Sequence, residues 1–125
     1  MRSTLLLVLL FIGNFVQAQK VLWANEVLDV SSEWTASRHL VLLGDDSHKA
    51  KQVLGEPNIY PGSVGSTRAW APKKAKSLEF IKVGFNEAIP IKQIAIAETL
   101  NPTAISKVFA YVESGREYLI NVFDP

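Results

Sequence analysis

From Leu78 onward the chain alternates apolar and polar positions with a period of two. Ile81, Val83 and Phe85 share one face and Lys82 and Gly84 the other, which is the pattern of a half-buried strand. Ile94, Ile96 and Glu98 alternate in the same way with Ala95, Ala97 and Thr99, and Val108, Ala110 and Val112 with Phe109 and Tyr111. Between the first two runs Asn86-Glu87 turns the chain, and Pro90 fits only a strand start or an edge. Ser114-Gly115 is a tight turn into residues 117–123, where Tyr118, Ile120 and Val122 alternate again, so this stretch predicts a β-hairpin. Closely spaced strands with turn signals between them point to an all-β sandwich or barrel.

Upstream the pattern changes. Ala50, Val53 and Leu54 recur at i, i+3, i+4 behind Ser47, a favoured N-cap residue, and Gly55 can take the left-handed C-cap conformation. This predicts a short helix of about two turns. Residues 40–43 are a brief apolar run closed by Gly44-Asp45-Asp46, a strand or a loop docked on the core. Residues 21–34 fit neither period cleanly, although Asp29-Val30-Ser31-Ser32 reads as extended. Pro57, Pro61, Gly62, Gly65 and Pro72 mark a long surface loop that carries Tyr60 and Trp70.

The ends set the setting. Arg2, the apolar run 5–12 and Val16-Gln17-Ala18 have the order of a secretory signal peptide cut after Ala18, and the run is shorter than the roughly 20 residues that span a bilayer. The expectation is export to the periplasm, the outer membrane or the medium, with residues 19–125 as one domain. Thirteen basic residues against twelve acidic ones leave the chain in charge balance once Arg2 is removed, and a neutral balance argues against nucleic acid as a partner. No cysteine is present, so a hydrophobic core and not a disulfide framework must hold an exported fold. The chain stops on a strand pattern at Asp124-Pro125. A sandwich ending there would keep an open edge, which predicts a fragment of a longer protein, incomplete at its C-terminal end.

Six pieces of wording, AKQVLGEPN at 50–58, RAW at 68–70, LEFIKVGF at 78–85, IKQIAIAETLNP at 91–102, AISKVFAYV at 104–112 and REYLINVF at 116–123, together resemble the galactose-binding-like jelly roll, whose best-known members are discoidin and coagulation-factor type C domains. The wording is closest to the N-terminal module of exported, OmpA-like envelope proteins of Bacteroidetes-type bacteria. The resemblance covers about residues 24–123. It implies an all-β jelly-roll sandwich with one short helix, and a non-catalytic module of the cell envelope whose partners are a glycan, another envelope component, or neighbouring domains or subunits. The chain departs from the pattern in lacking the disulfide that often ties the ends of discoidin domains.

Domains of this kind bind with loops at one end, where a rigid scaffold displays variable side chains. That assigns Tyr60, Arg68 and Trp70 as candidate contacts, since tryptophan and tyrosine stack on sugar faces while polar neighbours bond hydroxyls; a tryptophan that caps the core is the alternative. Glu98, on a core-facing parity before Asn101-Pro102, either orients a ligand hydroxyl or holds the following loop through backbone N–H groups. Asn101 stands beside it as a possible support. Asp45 and Asp46, next to His48, are the densest acidic–imidazole cluster and the only calcium candidates, although they match neither an EF-hand nor a zinc spacing. No cofactor is otherwise implied. Lys73, Lys74 and Lys76 form a small basic cluster beside Trp70, the pattern of a solvated strand entry or of a contact to acidic head groups.

Catalysis finds little to work with. Two histidines, no cysteine and no nucleophile or metalloprotease motif leave only Glu79, Glu87, Glu98, Glu113 and Glu117 as conceivable glycosidase carboxylates. The expectation is a non-enzyme. A structural assembly domain without a small ligand is the first alternative and a carbohydrate-active enzyme the second.

Overall fold

The computed structural model describes residues 20–35, 44–59, 65–74, 76–100 and 103–124. The expected signal peptide and the apolar run at 40–43 lie outside these residues. What is described is mostly strand, in two small antiparallel sheets with almost no helix. Strand β1 (Glu26–Val30) pairs with β2 (Ile81–Gly84), and β3 (Lys107–Tyr111) pairs with β4 (Glu117–Val122). The all-β class expected from the period-two runs is therefore present.

The predicted hairpin forms as its sequence suggests. Tyr111 faces Glu117, Lys107 faces Val122, and Gly115 takes φ +79° to close the turn, a left-handed conformation that glycine adopts without steric penalty. The register shifts between Val108 and Phe109, so that Ile120 has no opposite residue. Such a bulge strengthens local twist and interrupts the ladder. Every residue of β4 is exposed, on both faces of the strand.

The first sheet is a different kind of pairing. Residues 26–30, in the stretch whose period was ambiguous, find their partner far along the chain: Glu26 faces Gly84 and Val30 faces Ile81. All of Ile81, Lys82 and Val83 are half-buried and Gly84 is buried, so both faces of β2 are covered and not one alone. A Cβ at Gly84 would meet the Glu26 side chain at 2.5–3.0 Å; the glycine lets that side chain lie across the strand.

Two expectations are corrected. The two-turn helix behind Ser47 is a single 3-10 turn, Ala50–Val53, held by i→i−3 bonds from Gln52 N–H to Lys49 O (3.0 Å) and from Leu54 N–H to Lys51 O (3.2 Å). Ser47 does not cap it, because its N–H and hydroxyl both donate to Asp45 Oδ1, and His48 takes φ +59°, which breaks helical geometry at that point. The cap comes from outside the segment: Glu33 Oε1 accepts the Ala50 N–H at 2.6 Å, and its Oε2 lies 3.4 Å from Lys49 Nζ. Gly55 does take the expected left-handed conformation (φ +80°) and donates its N–H to Ala24 O at 2.8 Å. The second correction is the run 91–98, which forms no ladder with any described strand despite its alternation. A strand exists only where a partner supplies hydrogen bonds, and here the sequence pattern is present without one.

The 3-10 turn packs against β1, and Ala50 is the one buried apolar residue among those described, 3% exposed, with Val27 and Val30 beside it. Around this small centre the side chains are half-buried. In contrast, Leu78, Phe80, Phe85, Ile94, Ile96 and Leu119 all stand substantially open to solvent.

Candidate functional site

Three segments meet beside the exit of β1: residues 31–35, 46–50 and 66–73. Backbone bonds bring them together, from Trp34 N–H to Ala71 O (2.8 Å), from His48 N–H to Thr67 O (2.9 Å) and from Ala71 N–H to His48 O (3.2 Å). His48 Nδ1 sits 3.2 Å from Ala69 O, and its ring meets Trp34 edge to face with centroids 5.0 Å apart. Edge-to-face geometry places the positive rim of one ring against the negative face of the other. Trp34 is nonetheless 41% exposed, so one part of the indole is braced and another is open.

Trp70 lies in the same junction with a different role. It is half-buried, and its indole Nε1–H donates to Ser32 O at 3.0 Å. It thus ties the 66–73 loop to the end of β1. Arg68 is exposed, with its backbone N–H on Ser66 Oγ at 3.1 Å, and its guanidinium has no acidic partner among the described residues. Tyr60 and Asn101 lie outside the described residues. Glu98 is half-buried and its Oε1 accepts the Thr103 N–H at 3.4 Å. Thr103 takes φ +81° there, uncommon for a β-branched residue.

A knot of hydroxyls lies beneath the Trp70 loop. Glu79 receives Ser31 Oγ–H and Ser32 Oγ–H on Oε2, the latter at 2.7 Å, and Ser77 Oγ–H on Oε1. The three donors, Ser31 foremost, then Ser77 and Ser32, hold its carboxyl below the ordinary carboxylate range, with a smaller contribution from nearby Lys74. Ser32 Oγ also accepts the Lys73 N–H at 3.0 Å, and Ser31 Oγ the Phe80 N–H at 2.8 Å.

The calcium candidates do not converge. Asp45 is occupied by Ser47, which lowers its pKa through a side-chain and then a backbone hydrogen bond, and Asp46 pairs with Lys51. Among the described residues no three His, Cys, Asp or Glu side chains are grouped to hold a metal ion. The glutamates have separate partners: Glu87 pairs with Lys20, Glu98 accepts the Thr103 N–H, and Glu117 accepts the Tyr111 hydroxyl at 2.7 Å.

The second sheet borders an open groove of about 670 Å³ between residues 91–98 and the hairpin, lined by Ile94, Ile96, Ile105, Val108, Ile120 and Phe123, with Lys92, Glu98 and Asp124 among the charged residues that line it. Lys82 Nζ from β2 lies 3.7 Å from the centre of the Tyr111 ring on β3, a cation–π contact between the two sheets. No helix among the described residues is long and apolar enough to cross a membrane. Comparison of the chain with protein-family models, curated proteins and solved structures returns no match in any of the three.

Sequence reasoning missed Trp34 and Glu79 as organisers of this junction. The signal for Trp34 was weak because it sits at the end of the aperiodic stretch. Glu79 gave little more: a carboxylate one residue short of a strand, whose proximity to Ser31 and Ser32 no spacing rule reveals.

Proposed function

We propose that this chain is a non-catalytic interaction module of an exported cell-envelope protein, built on a galactose-binding-like jelly roll, and that it works by offering its C-terminal hairpin to a neighbouring domain or subunit. One observation carries the reading. Leu119 and Val122 are 55% and 56% exposed, Tyr118 and Ile120 are open as well, and these residues occupy both faces of β4, with exposed Phe123 directly after it, beside an isoleucine-lined groove. Contiguous apolar surface of this kind marks a place where protein docks on protein. A two-stranded ribbon is only marginally stable in water alone, so contact with a partner surface would also stabilise it.

The test compares the full chain with a Leu119→Lys/Val122→Lys double variant by sedimentation velocity and hydrophobic-dye fluorescence. The reading predicts association that rises with protein concentration and strong dye binding, both reduced in the double variant while the near-ultraviolet circular dichroism of the tryptophans is kept. Equal behaviour of the two chains would contradict it.

A second reading, recognition of a glycan at the loop junction, is favoured by one specific feature. Trp34 is open and braced by His48, with exposed Arg68 on the neighbouring segment. A braced, exposed indole with a cation on the adjoining segment suits stacking on a sugar ring. A glycan array with Trp34→Ala distinguishes it: binding lost in that variant with the fold intact supports recognition through Trp34, and absence of binding by the parent chain removes the reading.

A further inference from the structure

The hydroxyl knot around Glu79 has a polarity that depends on charge. Ser32 Oγ accepts the Lys73 N–H, so its single proton is directed at Glu79 Oε2. Ser31 Oγ accepts the Phe80 N–H, and its proton lies between Glu79 Oε2 and Phe80 O, the latter at 3.2 Å. Ser77 brings a third hydroxyl to Oε1. An ionised carboxylate only accepts and can receive all three, whereas a protonated one carries a donor and must give up part of this set. The consequence reaches the loop through one residue, because Ser32 also holds the Trp70 indole N–H on its carbonyl.

We propose that Glu79 is an acid-sensitive latch on loop 66–73: its ionised carboxylate fixes Ser32, Ser32 holds Lys73 and Trp70, and protonation of the carboxylate loosens these two ties while the backbone bonds of Thr67 and Ala71 to His48 and Trp34 stay in place. Other charged groups nearby do not duplicate this function. Lys74 lies on the same side and favours the ionised form. From the β1 side, Asp29 Oδ1 accepts the Val30 N–H, and Glu33 is engaged by Ala50 and Lys49; from β2, Lys82 lies over Tyr111. The sign follows from the lowered carboxyl: the latch is closed above the ordinary glutamate range and opens as pH falls through the folded-state value, below 4.5. The latch is separate from the hairpin surface, so its failure would leave the assembly reading standing.

The test is nuclear magnetic resonance of the full chain, following the indole N–H of Trp70, assigned with Trp70→Phe, together with the Glu79 side-chain carboxyl carbon. On acidification the two signals should move with one shared midpoint, below that of an unperturbed glutamate. In Glu79→Gln the indole signal should be insensitive to pH over this range and, at neutral pH, exchange with solvent about tenfold faster, reflecting local opening; Ser32→Ala should do the same. An indole signal that stays fixed while the carboxyl titrates in the unmodified chain would overturn the proposal, and this comparison needs no variant to fold.

Discussion

The two sheets of this protein are held by opposite means. β1 and β2 come from residues 26–30 and 81–84, and their junction is closed by Glu79, Ser31, Ser32 and Trp70, with the Glu33-capped turn packed on β1. β3 and β4 are neighbours in sequence, joined by a turn at Gly115, and have little covering them. The first pairing must close a long loop before it gains anything, so side chains from distant segments are needed to secure it. The second closes with almost no loop penalty, and its apolar residues remain available to another surface. The difference separates scaffold from presentation.

The largest effect should come from Ala50→Asp. It would place a carboxylate at the one buried apolar position among the described residues, against Glu33, whose Lys49 partner would then serve two carboxylates. Burying a charge that is left short of a partner costs about 3 kcal/mol, and thermal denaturation should show loss of the β1–β2 region while the hairpin amides are little altered. Gly115→Ala acts on the other side. Its φ of +79° is unfavourable for alanine by about 1 kcal/mol, so hydrogen exchange should quicken in β3 and β4 and remain unchanged at Ile81 and Val83.

The smallest effect is one of pH, and it runs in opposite directions for the two sheets. The Tyr111 hydroxyl donates to Glu117, and that hydrogen bond, with burial and the carboxylate charge behind it, raises the Tyr111 pKa above 10.0. A raised phenol stabilises the folded hairpin below its unfolded value and ceases to do so as pH climbs through the folded one. The Glu79 carboxyl, being lowered, stabilises the first sheet at neutral pH and stops doing so in acid. Circular dichroism melts across pH should therefore show the hairpin weakened on the alkaline side and the tryptophan junction on the acid side. Tyr111→Phe should remove the alkaline limb alone.

What could be read in the sequence follows the same division. The hairpin was legible apart from its bulge, since alternation in Val108–Ala110 and Tyr118–Val122 and a Ser-Gly turn are local signals. Leu28, which has no opposite residue in β2, marks the register shift that blurred the period of β1. Pairing of β1 with β2 was not legible because nothing in residues 26–30 names a partner so far away. The helix behind Ser47 failed because the cap that won, Glu33, is supplied by tertiary contact. Of the candidate contacts, Arg68 stands exposed and Glu98 accepts the Thr103 N–H. Trp70 entered as a candidate contact and stands as a tie between loop and strand, whereas Trp34 presents the open indole.

Residue-resolved amide hydrogen exchange of the full chain at neutral pH would examine the division between scaffold and presentation at once. The account predicts that amides in the β1–β2 ladder exchange on the order of tenfold more slowly than those in the β3–β4 ladder, because several side chains from distant segments close the first, whereas Lys82 over Tyr111 is the contact that reaches the second from β2. Equal protection in the two ladders, or a hairpin slower to exchange than the first sheet, would contradict it.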